Sequence, residues 1–204
     1  MVNRFAFAIV LGVFVAAGVH SVAATRVGGP APVFTATDNQ GKTHTLSDYK
    51  GKFVVLEWHN EGCPYVKKHY GSGNMQALQK EWTGKGVVWL TVVSSGPGQQ
   101  GHVTAEQSQE YVRAQQASPT AVLLDSSGEV GHAYGAKTSP HMFVIDPEGV
   151  VIYNGAIDNQ PTPDPATIAS ATNYVSAALT EAMSRAPVTT ASTQPYGCSI
   201  KYAK

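Results

Sequence analysis

Residues 54–69 read Val54-Val55-Leu56-Glu57-Trp58-His59-Asn60-Glu61-Gly62-Cys63-Pro64-Tyr65-Val66-Lys67-Lys68-His69. The apolar, β-branched and aromatic residues at the start of this stretch are typical of a buried strand. Pro64 is tolerated in the first turn of a helix, because its missing N–H would have no partner there. The stretch therefore predicts a buried strand, a turn at Asn60 or Gly62, and a helix that begins beside Cys63.

The predicted helix start gives Cys63 a chemical role. A cysteine at the positive end of a helix dipole is favoured as the thiolate, which is the nucleophilic form. Since we expect this strand-to-helix turn to expose its tip, we interpret Cys63 as a nucleophile rather than a buried structural cysteine. Lys67 and Lys68 follow one helical turn later, where they either favour the thiolate or are ordinary solvated lysines.

The length and charge of the chain limit what it can be. Its 204 residues are enough for one domain with a full core. The 14 Lys and Arg residues balance the 14 Asp and Glu residues, so the formal net charge is zero. Such a balance provides neither a basic surface for nucleic acid nor a polybasic membrane patch. We therefore expect no nucleic-acid partner.

The N-terminus has the pattern of a secretory signal peptide. Arg4 is followed by the apolar run 5–19 and by small residues around Ala23 and Ala24. The run of about 15 apolar residues is shorter than the roughly 20 of a membrane span. We expect residues 1–24 to be removed, with cleavage near Ala23 or Ala24. The mature protein would then be secreted or periplasmic, without a stable membrane span.

Strand and helix patterns alternate along the rest of the chain. A β-hairpin is predicted across 35–46. Further strands are predicted at 53–58, 87–93, 121–124, 142–145 and 150–153, and helices after Cys63 and at 104–117, 130–134 and 168–182. Gly71-Ser72-Gly73 should kink or break the first helix, and the Pro/Thr/Ser-rich residues 186–196 should be irregular. This order predicts a three-layer α/β fold with a mixed central sheet flanked by helices.

Several segments, taken in order, resemble the thioredoxin-like redoxins, and more closely their peroxiredoxin-like, AhpC/TSA-related branch. They are Leu46–Lys52, Gly62–Lys67, Ala133–Gly135, Thr138–Gly149 and Gly197–Lys201. The resemblance implies a thioredoxin-like fold with an N-terminal β-hairpin extension and a C-terminal tail. In this interpretation residues 25–185 form the redoxin domain, and residues 186–204 form the tail that carries Cys198.

The resemblance also implies roles for residues around Cys63. Pro140 looks like the cis-proline of the fold, which lies beside the active cysteine. Ser139 would offer backbone groups to a substrate strand, and Pro64 and Tyr65 complete the expected substrate-binding set. Val66 stands where thioredoxins carry their second cysteine, so Cys63 has no local partner.

Two further departures concern peroxide chemistry and the partner of Cys63. Asn60 and Leu56 stand where typical peroxiredoxins carry the Thr and Pro that precede their peroxide-reacting cysteine. Cys198 would be the resolving cysteine, although a static disulfide or two free thiols are also compatible with two cysteines. The irregular residues before Cys198 give it reach, which does not by itself satisfy the geometry of a disulfide.

Glu57 lies six residues before Cys63, where thioredoxins have a buried acid that relays protons. Buried below the cysteine, this carboxyl would have a raised pKa and would accept a proton near neutral pH. Alternatively, Glu57 points to a polar boundary or forms a salt bridge with Lys67 or Lys68. Both interpretations remain open at this point.

Three functions are compatible with these residues. The first is thiol–disulfide exchange through Cys63, resolved by Cys198 or an external thiol. The second is a thiol peroxidase, and the third is a non-catalytic or metal-delivery module on a redoxin scaffold. The partners would be a disulfide or peroxide substrate and a thiol reductant. The five histidines that invite a metal interpretation follow no recognised metal spacing, so we predict no metal and no cofactor: His59, His69, His102, His132 and His141.

Overall fold

The computed structural model describes residues 25–204, and the predicted signal peptide lies outside the described residues. The strands are β1 (Thr35–Thr37), β2 (Thr43–Thr45), β3 (Val54–Trp58), β4 (Val88–Val93), β5 (Ala121–Leu124), β6 (Thr138–Ser139), β7 (Met142–Ile145), β8 (Val151–Gly155) and β9 (Cys198–Ser199). The helices are α1 (Pro64–Gly71), α2 (Asn74–Gly84), α3 (Ala105–Ala114), α4 (Glu129–Tyr134) and α5 (Tyr174–Met183), and two short 3-10 helices cover Leu46–Tyr49 and Pro165–Ser170.

The central sheet is mixed, with the strand order β5-β4-β3-β7-β8. Strands β3, β4 and β5 run parallel, while β7 and β8 are antiparallel to their neighbours. Every residue of β3 and β4 is buried, as expected of parallel strands covered by helices on both faces. The predicted α/β fold with a mixed central sheet is confirmed.

Alternate residues of β3 face the two opposite sides of the sheet. Leu56 and Trp58 pack into one core with Tyr134 and Phe143. Val55 faces the other core, which also contains Cys63 and the apolar residues of α1, α2 and α5. The strand that precedes Cys63 is therefore held from both sides, which makes it a rigid base for the turn that follows.

The local patterns predicted the short elements well. The β1–β2 hairpin pairs Thr35 with Thr45, and Gly73 separates α1 from α2 in a left-handed conformation with φ of +77°. The Thr104 side chain accepts the Gln107 N–H at the start of α3, which is the predicted capping box.

The last helix is shorter than predicted. We expected it to begin near Ile168, but that residue lies in a separate 3-10 helix that Asp164 caps. Ala171 is extended, and α5 begins only after Asn173, whose side chain accepts the Ser176 N–H. The apolar spacing continues across this break, whereas the capping residue decides where the helix starts.

In the C-terminal tail, residues 186–196 form no helix or strand, as predicted, and a short strand follows them. Strand β9 pairs antiparallel with β6, so that Ser139 lies opposite Cys198 and Thr138 opposite Ser199. A second contact pairs Ser192 with Asn154 at the edge of the main sheet. Between residues 25 and 204, the structure has no helix long and apolar enough to cross a membrane.

Candidate active site

Cys63 lies at the N-cap position of α1, directly before Pro64. The turn that leads to it is built on Asn60, whose side-chain oxygen accepts the Gly62 N–H at 2.9 Å. The Asn60 carbonyl accepts the Cys63 N–H at 3.0 Å, and the Cys63 carbonyl accepts the first helical bond from Lys67. This Asx turn explains how a buried strand delivers the sulfur to the start of a helix.

The Cys63 sulfur is fully buried, at 0 % exposure. It lies 3.0 Å from the carbonyl oxygen of Ser139 and 2.7 Å from the Sγ of Cys198, and both cysteines are free thiols. The sulfur is therefore buried, with Cys198 of the tail against it, although Gly62 and Pro64 on either side of it are exposed as expected of the turn. Three of the residues predicted for the site, Cys63, Ser139 and Cys198, come together.

The Ser139–Pro140 peptide bond is cis, as the resemblance implies. The backbone of Ser139 faces both cysteines, since its carbonyl contacts Cys63 and its strand pairs with Cys198. Gly197 has a φ of +138°, and a Cβ atom there would lie 2.1 Å from the Ser139 oxygen. Only glycine allows the tail to approach the strand this closely.

Tyr196 anchors the tail two residues before Cys198. Its hydroxyl donates a hydrogen bond to the Asp158 carboxylate and lies 3.3 Å from the Nε2 atom of His69. Its ring lies 5.6 Å from the ring of Tyr65, with which it packs in a tilted arrangement. Tyr65, predicted to contact substrate, therefore contacts the tail, while Pro64 beside it is exposed.

A buried ion pair supports this anchor from below. The Lys68 Nζ atom lies 3.8 Å from the Asp158 carboxylate and donates to the carbonyl of Gln160 at 2.8 Å. Burial lowers the pKa of His69 to about 4, so the imidazole is neutral at neutral pH. Lys68 is thus the cation beside Asp158 rather than a solvated lysine, whereas Lys67 is exposed.

Burial also affects the second cysteine. Burial, the hydrogen bond with Cys63 and the charge of that sulfur raise the pKa of Cys198 to about 11. Cys198 consequently keeps its proton at neutral pH while the tail is docked.

Glu57 is completely buried below this layer. Its carboxylate accepts four hydrogen bonds: from Trp89 Nε1 and Tyr70 Oη at 2.8 Å each, and from Gln79 Nε2 and Thr91 Oγ1 at 3.2 Å each. Burial alone would raise the pKa of this carboxyl, but its hydrogen bonds and the nearby His59 outweigh burial and lower it.

The structure favours neither interpretation that we considered for Glu57, and the completely buried carboxyl does not point to a polar boundary. The carboxyl does not have the raised pKa of a proton relay at neutral pH, because its donors stabilise the charged form. A salt bridge with lysine is also not formed, since Lys68 pairs with Asp158 and Lys67 is exposed. Through its hydrogen bonds, the Glu57 carboxylate connects β3 to α1, α2 and β4.

His59, the residue directly after β3, lines a small apolar pocket with Tyr70 and Tyr111. The ring centroids of both tyrosines lie 4.9 Å from that of His59. In the part of the chain described, no three His, Cys, Asp or Glu side chains lie close enough together to hold a metal ion.

The sequence interpretation gave no role to Tyr196, Asp158 or Gly197. The signal that was available is the alternation of large and small or polar residues from Tyr196 to Tyr202, which is the period of a strand. Asp158 had no such signal, because only the folded chain brings it to Tyr196.

These features place the fold among the thioredoxin-like redoxins. Within that class, residues 27–154 match the model of the AhpC/TSA family, and the chain belongs to that family. The matched region includes Cys63 and Pro140 but not the tail that carries Cys198. The docked tail is therefore a feature that the family match does not describe.

Individual relatives agree with this assignment. The chain is 30% identical over 127 residues to the thiol-disulfide oxidoreductase ResA of Bacillus thuringiensis subsp. konkukian, covering 62% of this chain and 68% of the relative. An uncharacterized conserved protein from Geobacillus kaustophilus superposes with a TM-score of 0.75 and 26% identity, covering 87% of this chain and 93% of that chain. The thioredoxin domain of a thiol-disulfide oxidoreductase from Bacteroides vulgatus shares the fold, with a TM-score of 0.52 and 21% identity over 72% of this chain and 98% of that chain.

Proposed function

We propose that the protein is an extracytoplasmic thiol–disulfide oxidoreductase in which Cys63 is the nucleophile and Cys198 resolves the reaction. The observation that carries this proposal is the 2.7 Å contact between two free thiols, beside a cis-proline, in a chain without a local Cys-x-x-Cys pair. The similarity to the thiol-disulfide oxidoreductase ResA supports the same reaction class.

The first step requires the tail to move, because the Cys63 sulfur is buried and the Cys198 sulfur lies 2.7 Å from it. The Cys63 thiolate then attacks one sulfur of a substrate disulfide. The substrate S–S bond breaks, a mixed disulfide forms with Cys63, and the second substrate sulfur leaves as a thiolate that takes up a proton. Docked Cys198 does not compete for this role, because it is protonated at neutral pH.

The second step returns Cys198 to the site. Away from Cys63, the causes that raise its pKa are absent, so a thiolate forms more readily on the released tail. This thiolate attacks the Cys63 sulfur and expels the substrate as a thiol. In total two electrons and two protons pass to the substrate, a Cys63–Cys198 disulfide remains, and a thiol reductant regenerates the protein.

The proposal is tested with single cysteine variants in an insulin disulfide reduction assay. We expect activity in the wild type, loss of activity in Cys63→Ser, and a trapped mixed disulfide on Cys63 in Cys198→Ser, detected by mass spectrometry. Equal activity of the wild type and Cys63→Ser would overturn the proposal.

A thiol peroxidase is a second candidate, which the match to the AhpC/TSA family favours. In that reaction the Cys63 thiolate is oxidised by peroxide to a sulfenic acid, and Cys198 condenses with it to a disulfide and water. Peroxide consumption with a thiol reductant present decides this candidate. A rate no higher than that of free cysteine eliminates it.

We further propose that residues 1–24 are a signal peptide and that the mature protein is secreted or periplasmic. Residues 25–185 would be the redoxin domain and residues 186–204 a tail that moves during turnover. The support is the apolar N-terminal run and the small residues at Ala23 and Ala24. Sequencing the N-terminus of the protein recovered from the periplasm tests the location, and an N-terminus at Met1 would contradict it.

A further inference from the structure

The tail lies in its groove as an extended peptide. The side chains of Tyr196, Cys198, Ile200 and Tyr202 are half-buried, whereas Ser199 and Lys201 between them are exposed. This alternation is that of a strand with one face on the protein. Main-chain bonds continue past β9, from the Ile200 N–H to Lys137 and from the Gly96 N–H to Lys201.

Each inward side chain occupies its own subsite. Tyr196 binds Asp158 and Tyr65, as described above. Ile200 packs against the core around Tyr134. The Tyr202 ring stacks on His132, with ring centroids 4.0 Å apart, and its hydroxyl donates to the Ala136 carbonyl at 2.8 Å.

Two glycines in the wall of the groove make room for this peptide. A Cβ atom on Gly131 would lie 2.5 Å from the ring and hydroxyl of Tyr202, and one on Gly96 would lie 2.5 Å from the backbone of Ala203. The walls therefore leave room for an extended backbone and for an aromatic ring four residues after the cysteine.

A polypeptide substrate must use the same groove. To react, its sulfur has to reach Cys63, which the tail buries, and the backbone edge beside Cys63 is that of Thr138 and Ser139. One side of an edge strand pairs with one partner at a time, so the tail and a substrate strand exclude each other. When a peptide adds to a sheet edge, main-chain bonds provide affinity and the pockets for alternate side chains provide specificity.

We infer that the docked tail is an intramolecular stand-in for a polypeptide substrate, and that its side chains specify which substrates the groove accepts. The preferred substrate is an extended segment whose cysteine has an aromatic residue two positions before it, an aliphatic residue two positions after it and an aromatic residue four positions after it. This inference rests on the proposed function, since it assumes that Cys63 attacks a substrate disulfide. A tethered competitor acts at an effective concentration of about millimolar, so a substrate without these side chains displaces it poorly.

The test uses the full chain carrying Cys198→Ser and two synthetic heptapeptides. One has the tail sequence Tyr-Gly-Cys-Ser-Ile-Lys-Tyr, and in the other both tyrosines and the isoleucine are alanine. Each peptide cysteine carries a nitrothiobenzoate group through a disulfide. The Cys63 thiolate attacks the peptide sulfur, the coloured nitrothiobenzoate thiolate leaves, and the peptide remains disulfide-bonded to Cys63.

We expect the tail-sequence peptide to react at least about tenfold faster than its alanine version at subsaturating peptide, because each buried ring or aliphatic group adds binding energy in the groove. Gly131→Ala, introduced into the same protein, should reduce the preference for the tail-sequence peptide over its alanine version, because the added Cβ would lie 2.5 Å from the ring of the last tyrosine. Because this methyl group also crowds Ser94, thermal melting of the variant is measured alongside.

Two outcomes distinguish the inference from the function on which it rests. Equal rates for the two peptides, while the small disulfide dithiobis(nitrobenzoate) still reacts with Cys63, would overturn the substrate preference and leave the proposed function standing. Failure of the small disulfide to react with Cys63 in the native protein would overturn the proposed function and the inference with it.

Discussion

Replacing Tyr196 by phenylalanine tests how firmly the tail is held over Cys63. The substitution removes the hydroxyl that donates to Asp158 but keeps the ring that packs on Tyr65 and lies 5.7 Å from the Lys68 ammonium. Its effect therefore reports the contacts of the hydroxyl, which are the bond to Asp158 and the 3.3 Å contact with His69 Nε2, without a loss of ring packing. The reporter is Cys63, which is fully buried as long as the tail is docked.

The expected magnitude follows from the partners of Asp158. A hydrogen bond to a charged group contributes about 1.5–3 kcal/mol. In the variant, Asp158 would still accept the Gln160 N–H at 2.9 Å and would keep the Lys68 ammonium at 3.8 Å. Since the carboxylate keeps these partners, we take the lower value. A loss of about 1.5 kcal/mol raises the undocked fraction of the tail about tenfold.

The assay is alkylation of Cys63 by iodoacetamide, followed by mass spectrometry. All proteins carry Cys198→Ser, so that Cys63 is the only thiol and no disulfide forms. If opening is fast relative to alkylation, the rate follows the undocked fraction, and Tyr196→Phe should react about tenfold faster. Ser199→Ala, on the exposed face of the same strand, is the matched control. An unchanged rate in Tyr196→Phe, or an equal acceleration in Ser199→Ala, would refute the reasoning.

Three further predictions concern the tail and the buried polar groups. Gly197→Ala should accelerate Cys63 alkylation more than Tyr196→Phe does, because its Cβ would lie 2.1 Å from the Ser139 oxygen; a rate equal to the parent would contradict this. Burial lowers the pKa of His141 to about 4, so between about pH 6.5 and pH 4 the unfolded chain binds a proton that the folded chain does not. The free energy of unfolding, from denaturant titrations, should therefore fall by up to about 3 kcal/mol as the pH decreases through that window, and His141→Gln should lose this contribution. Glu57→Gln should lower the free energy of unfolding by about 2 kcal/mol at neutral pH, because four donors lose their charged acceptor; unchanged stability would indicate a neutral carboxyl.

The sequence was most informative where structure depends on near neighbours. The buried strands β3 and β4 are continuous apolar runs because helices cover both faces of a parallel sheet. The break at Gly73 and the cap at Thr104 depend on one or two residues each. These features are readable without any knowledge of distant contacts.

The candidate site could be predicted only in part. Cys63 is identified by its local turn, and Pro140 by resemblance. The pKa of Glu57 is lowered by His59 two residues later and by donors from α1 and β4, and no local pattern connects those donors to Glu57. Likewise, the burial of Cys63 depends on a tail 135 positions away, and the glycines that admit this tail come from separate segments.

That separation has a consequence for the covalent topology of the protein. A bond between Cys63 and Cys198 would close a ring that contains all five α-helices of residues 25–204. In the chain-entropy description, a ring of this size destabilises the unfolded chain by about 5 kcal/mol, compared with about 2 kcal/mol for the small ring of a Cys-x-x-Cys pair. Oxidation to the disulfide would thus stabilise the whole domain against unfolding. The melting temperature would be higher in the oxidised protein, which has lost one electron pair, than in the reduced protein.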